Sequence, residues 1–219
     1  MARKTGAVKS FIVLWERHEK LYYSIFYEAL KRLEINDVQR KDEDAISEAL
    51  CPVLNDVCFE HSQDVRVPDW EKPIQPALKE ELKGGKTRKR PDFSCNFVNS
   101  LANSSDMYTI PFHVECKRLG ETVGSWNLNK NYVINGITRF DCKTHEYGKR
   151  APSGMMIGYI VNMEPALILD NVNKYLPEKL QKLHFVFMKK VVSYEQKLNR
   201  KKMKPEKFNL FHLWVDLRK

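Results

Sequence analysis

No apolar run in this chain approaches the ~18–20 residues needed to cross a bilayer. The best N-terminal run, Phe11 to Trp15, falls short of the apolar core of a secretory signal, so a cytoplasmic protein without membrane association is expected. Five cysteines are present, and no two of them stand at the two-residue gap of a zinc knuckle. Three sit inside apolar segments, which favours reduced core thiols. A His-Glu-x-x-His motif is also missing, and with it the ligand spacing of a common class of zinc hydrolase. There is no internal repeat and no low-complexity tract. Aromatics at 11% and hydrophobics at 42% exclude a disordered chain.

What is plentiful is positive charge. Lys and Arg number 37 against 28 Asp and Glu, a formal +9 over 219 residues. This excess favours an anionic partner, nucleic acid before an acidic membrane surface. Two runs concentrate it. Lys83, Lys86, Arg88, Lys89 and Arg90 fall within eight residues, and residues 189–207 hold eight Lys or Arg against two Glu. A cationic loop over 83–90 can grip a phosphate backbone without reading sequence.

Periodicity predicts an amphipathic helix from Ser10 to Leu33, with Leu14, Tyr22, Ile25, Phe26, Leu30 and Leu33 at helical spacing. A second helix is expected over 41–59, kinked or split at Pro52. Residues 61–89 read mostly as loop. Asp92 to Val98 and Tyr108 to Lys117 both alternate and predict an antiparallel hairpin with one buried face. A helix around Tyr132–Phe140, a strand over 155–162, a helix within 162–183, and strands at 184–188 and 208–216 complete the pattern. The stretch 189–207 reads as a cationic, helix-like segment. The whole predicts an α/β fold with a mixed central sheet flanked by helices.

The hairpin carries the chemistry. Pro91-Asp92 opens one strand, and Glu115-Cys116-Lys117 lies on the other, 23 residues from aspartate to glutamate. Period two puts Glu115 and Lys117 on one side, opposite the apolar residues, and Asp92 on the corresponding side of its strand. Two carboxylates converging from neighbouring strands suit Mg²⁺, a hard cation that takes oxygen ligands and keeps water. A lysine beside it can orient or deprotonate that water if metal charge and burial lower its pKa. Glu81-Leu82-Lys83, Glu195-Gln196-Lys197 and Pro68-Asp69 repeat the motif's fragments but lack the paired amphipathic strands.

Pro91, Asp92, Glu115 and Lys117 together resemble the PD-(D/E)XK nuclease superfamily, with its restriction-endonuclease-like fold. The resemblance implies that Asp92, Glu115 and the Cys116 carbonyl hold Mg²⁺, for which Mn²⁺ can substitute, and that Lys117 is the catalytic lysine. The family commonly adds a glutamate from the preceding helix. Glu43, at i, i+3, i+7 with Ile46 and Leu50, is the candidate, while Glu48 faces away. Tyr132 to Phe140, Tyr147, Gly154 to Tyr159 and His212 to Asp216 are similar to a group of uncharacterised restriction-endonuclease-like proteins of bacterial defence. A polar signature expected near Ser193 to Gln196 is missing.

On that basis residues 1–219 are one domain: an N-terminal helix within 1–40 and a nuclease core over 41–219 with a basic insert at 189–207. The implied activity is Mg²⁺-dependent hydrolysis of double-stranded DNA in anti-phage defence. The alternatives are a silent DNA-binding or assembly subunit and an RNA nuclease. A sensor or regulatory protein is an implied partner, and a homodimer is another, since many nucleases of this fold pair to cut both strands. The candidate DNA contacts are Lys86, Arg88, Lys89, Arg90 and one helix face bearing Tyr132, Asn135 and Arg139. Arg139 either stabilises phosphate charge or pairs with a carboxylate such as Asp141 or Glu146. His113 shares the face of Glu115, either beside the phosphate or hydrogen-bonded within the strand. Trp70 and Trp126 either stack on bases or pack in core or loop.

Overall fold

The computed structural model describes residues 2–61, 65–82, 89–188, 190–201 and 203–218. Lys83, Lys86 and Arg88 lie outside these. Helix α1 (Ala2–Arg32) buries Trp15, Tyr22, Ile25, Phe26, Ala29 and Leu30 along one stripe and ends on Lys31 and Arg32, which suit the negative end of its dipole. The Trp15 indole N–H donates to Ser153 Oγ at 2.9 Å, so α1 is anchored in the sheet rather than appended to it. Helix α2 (Glu43–His61) starts where Asp42 Oδ1 accepts the Asp44 N–H at 3.1 Å, with Glu43 and Asp44 in its first turn. It runs through Pro52 unbroken. The ring lies on the exposed face, where water can satisfy the carbonyl it leaves unpaired.

Nine strands follow in chain order: β1 (Asp69–Trp70), β2 (Phe93–Val98), β3 (Thr109–Leu119), β4 (Thr122–Val123), β5 (Trp126–Asn127), β6 (Ser153–Ile160), β7 (His184–Met188), β8 (Val191–Asn199) and β9 (Lys207–Asp216). Seven of them form one mixed sheet in the order β1-β2-β3-β6-β9-β8-β7, six substantial strands and the two-residue β1. The centre, β3-β6-β9, is parallel, while β2 pairs antiparallel to β3 and β8 antiparallel to β9. The β4–β5 pair is a separate two-residue ladder.

Helix α3 (Leu128–Ile134) is capped by Asn127, whose side chain accepts the Lys130 N–H at 2.9 Å. It stops short of the expected Tyr132–Phe140 helix. At Gly136 a β-carbon would stand 2.4 Å from the Tyr132 carbonyl oxygen, so the chain turns tightly and restarts as a 3₁₀ helix, Ile137–Asp141. Helix α4 (Pro165–Tyr175) has Pro165 in its first turn, which suits that residue, and ends before Pro177.

Two cores flank the sheet. α1 and α2 cover one face over Phe93, Phe112, Val114, Ile157 and Leu213. Tyr132, Phe140, Ile168 and Val172, from α3, its 3₁₀ extension and α4, cover the other over Met156, Leu210 and Trp214. The hairpin expectation holds in its pairing (Phe93↔Val114, Ser94↔His113) but not in its exposure. β3 is an interior strand, and His113, Glu115 and Lys117 are buried too. The cationic stretch also reads differently. Residues 191–199 are strand, not helix or insert. Tyr194, Gln196 and Leu198 point inward while Glu195, Lys197 and Asn199 face solvent. No helix among the described residues is long and apolar enough to cross a membrane.

Candidate functional site

Antiparallel register brings the motif together. Phe93 pairs with Val114, so Asp92 stands beside Glu115 one step further along. The Cys116 N–H donates to Asp92 Oδ2 at 2.5 Å. Glu115 is fully buried. Its Oε1 accepts from Lys117 Nζ at 2.9 Å and from Arg139. Its Oε2 is buried with no hydrogen-bond partner among the described residues. Lys117 Nζ also donates to Glu43 Oε1 and to the Cys116 carbonyl, each at 2.6 Å. Glu43 is held in turn by the Arg118 N–H on Oε2 at 2.9 Å. The first turn of α2 thus meets the end of β3, and Glu43 joins Asp92 and Glu115 as a third carboxylate around Lys117.

Electrostatics follow from crowding. Three carboxylates (Glu43, Asp92, Glu115) face two cations (Lys117, Arg139) in a largely buried space. Burial pushes Glu115 up to about 8, with the neighbouring Asp92 adding to it. Burial also pushes Asp92 up to about 6, against the pull of Lys117 and the Cys116 N–H. Burial alone would lower Lys117, but Glu115, Glu43 and Asp92 outweigh it and hold the ammonium above its ordinary range. The expected lowering of the lysine pKa is therefore reversed here, because three carboxylates surround it.

Asp92 and Glu115 contribute two side chains, and the described residues contain no group of three or more His, Cys, Asp or Glu able to hold a metal ion. A two-carboxylate set suits Mg²⁺, which commonly takes one or two carboxylates and retains water. The orphaned Glu115 Oε2 and the excess of carboxylates over cations are what such a cation would satisfy. The Cys116 carbonyl already accepts one bond from Lys117 and keeps a second lone pair.

The other candidates separate. Arg139 reaches the group, with Glu115 as its partner rather than Asp141 or Glu146, and its guanidinium lies 5.9 Å from the Tyr147 ring centroid. Tyr132 does not face substrate. It is fully buried, its hydroxyl 2.8 Å from His212 Nδ1 and accepting the Trp214 indole N–H at 2.9 Å. Asn135 is exposed at the end of α3, its amide on Asn131 Oδ1 at 2.6 Å. The shared helix face fails because Gly136 breaks the periodicity between Asn135 and Arg139. Arg90 is exposed, and Arg90 and Lys89 use their carbonyls to accept from the Tyr147 hydroxyl (2.7 Å) and the Ile74 N–H (3.0 Å). Trp70 and Trp126 are exposed rather than packed.

His113 takes the hydrogen-bonded alternative, to a loop rather than within the strand: its Nδ1 accepts the Gly148 N–H at 3.1 Å, and burial holds its pKa down to about 3. Two contributors were not anticipated, Gly148 and Arg200. Gly148 has φ +67°, and a β-carbon there would meet the Phe208 ring at 2.4 Å, so only glycine presents that N–H. Buried Arg200 donates to the carbonyls of Phe140, Tyr147, Gly148 and Pro205, tying the strand end after β8 to the loop behind Arg139. Its place in a cationic run hid this role.

No family model, curated protein or solved structure matches the chain.

Proposed function

We propose that this chain is a metal-dependent nuclease of restriction-endonuclease-like fold that hydrolyses phosphodiester bonds in DNA. One observation carries the reading. Two buried carboxylates from adjacent strands stand beside a buried lysine, and one carboxylate oxygen lacks a partner. Asp92, Glu115 and the Cys116 carbonyl would hold Mg²⁺, which supplies a more acidic bound water and neutralises charge on a phosphoryl oxygen. Lys117 presents ammonium protons beside those carboxylates and orients water or a phosphate oxygen. Glu43, fixed by the Arg118 N–H, sets the direction of that ammonium. Arg139, partly exposed where Glu115 is not, offers its guanidinium to developing phosphate charge. The +9 charge supports a polyanionic substrate.

The resemblance of Tyr132 to Phe140, Tyr147, Gly154 to Tyr159 and His212 to Asp216 to defence-associated proteins is the ground for proposing a role against phage, alongside a sensor protein or a second copy of this chain. A silent DNA-binding or assembly subunit is the second reading. It is favoured by how fully Lys117 and Arg139 are engaged by carboxylates. Digestion of plasmid, oligonucleotide and RNA with Mg²⁺ or Mn²⁺ separates the two. Cleavage that Asp92→Asn and Glu115→Gln abolish supports the enzyme and shows which sugar is accepted. Metal-independent binding with no cleavage supports the subunit.

A further inference from the structure

Beside the carboxylates, on the same face of the sheet, lies a cavity of about 400 Å³. Its floor is the next part of the β2–β3 ladder: Ser94 paired with His113, and Asn96 paired with Pro111. One wall is the segment 72–77 and the other the loop 145–150. The volume falls in the range of small-molecule sites.

Two polar side chains of the floor are more than nine-tenths buried yet line this cavity. Ser94 is 6% exposed and His113 2%. Because His113 Nδ1 accepts the Gly148 N–H, its proton sits on Nε2, a fixed donor. Neither Ser94 Oγ nor His113 Nε2 has a hydrogen-bond partner among the described residues. Asn96 is held with its amide on Asp69 Oδ2 at 2.9 Å. The apolar lining includes Pro73, Pro76 and Pro111, whose rings offer rigid apolar surface against which a base can pack. The acids in the lining are neutralised, since Lys149 pairs with Glu81 at 2.7 Å and with Glu146 at 3.1 Å. Arg66 adds positive charge, while Lys72 is paired with Asp69 at 3.0 Å.

We propose that this cavity receives the base of the nucleotide adjoining the scissile phosphate, so that the substrate is unpaired at that position. The proposal rests on the nuclease reading and names its substrate class. Glu115 is two residues from His113, about 7 Å along the strand, a step that one nucleotide spans from phosphate to base. A stacked base cannot reach Ser94 and His113, whereas an extruded or single-stranded one can, held by edge hydrogen bonds between apolar walls.

The test titrates the full chain, without divalent metal, with the four deoxynucleoside 5′-monophosphates and with deoxyribose 5-phosphate, which has no base. Calorimetry and ligand-observed NMR report binding. At least one monophosphate is expected to bind about tenfold tighter than the sugar phosphate, as one or two buried hydrogen bonds would give. Ser94→Val removes that preference. Arg66→Glu, at an exposed side chain lining the cavity, weakens all five ligands alike. Equal binding of the sugar phosphate and every monophosphate overturns the proposal, as does a preference that survives both Ser94→Val and His113→Gln. Parallel digestion with Mg²⁺ separates the two claims. Cleavage of duplex and single strand at equal rates, with no base-dependent binding, overturns the cavity and leaves the nuclease standing. Base-dependent binding in a chain that cuts no polynucleotide supports the cavity and overturns the nuclease.

Discussion

Two buried polar clusters share the same rungs and the same face of the sheet. Glu115 and Lys117 on β3 pair with Met156 and Gly158 on β6, and these pair with His212 and Trp214 on β9. The cluster on β3 is ionic, with three carboxylates, two cations and an orphaned carboxylate oxygen. The cluster on β9 is neutral: the Trp214 indole donates to the Tyr132 hydroxyl, which shares a hydrogen bond with His212 Nδ1. Protein groups nearly complete the second and leave only His212 Nε2 without a partner. They do not complete the first. A polar cluster that serves the fold is closed by its own hydrogen bonds, whereas one that keeps excess charge of one sign invites a ligand.

The sharpest way to break this contrast is to neutralise each cluster and compare activity with stability. Asp92→Asn and Glu115→Gln are expected to lower Mg²⁺-dependent cleavage by at least about 100-fold, with the urea midpoint unchanged or raised, because each removes crowded negative charge. Rates near wild type in either variant would remove the ionic cluster from catalysis. Tyr132→Phe should act in the opposite sense. It leaves Trp214 and His212 unpaired and costs roughly 2–4 kcal/mol in urea unfolding, while the folded fraction cuts at the wild-type rate. A large kcat loss in that variant, with stability intact, would return Tyr132 to the substrate face.

pH separates the clusters through opposite linkage. Burial lowers His212 from 6.5 to about 3. Below pH 6.5 the unfolded chain therefore takes a proton that the folded chain refuses, and stability falls towards pH 3. For His212 the loss by pH 5 is about 2 kcal/mol. Glu115 works the other way. Its folded pKa of about 8 against 4.5 means stability that is fully present below pH 4.5 and is lost as pH rises to about 8. Urea midpoints from pH 4.5 to 8.5 should show both arms. His212→Gln lessens the acid arm, to which buried His113 contributes alike, and Glu115→Gln lessens the opposite arm, to which Asp92 also contributes; a variant that lessens the wrong arm contradicts the assignment. The smallest effect belongs to Asn135. Asn135→Ala, at an exposed helix end, is expected to stay within about 0.5 kcal/mol in urea unfolding and to leave cleavage unaltered.

Much of the ionic cluster was legible from spacing, because period two assigns strand faces without knowledge of the neighbours. Asp92, Glu115 and Lys117 needed only the hairpin, while Glu43 needed the family resemblance as well as the stripe of Ile46 and Leu50. What spacing could not show was depth. The polar face of β3 reads as a surface until α3 and Phe140 are known to cover that side of the sheet. Tyr132 was misread for a related reason, since a seven-residue interval means one face only if the helix continues, and Gly136 stops it. The outward Lys197 in β8 and the buried, carbonyl-bound Arg200 just after it both read as solvated charge, although the alternation of Tyr194, Gln196 and Leu198 was there to be found.

The central claim is that the ionic cluster is a cation site. Calorimetric titration of the chain with Mg²⁺ at neutral pH tests it most directly. One ion per chain should bind with release of a proton, because burial keeps Glu115 largely protonated at neutral pH and the ion would displace that proton, and Asp92→Asn and Glu115→Gln should each abolish it. An absence of binding, or binding that both variants retain, contradicts the claim.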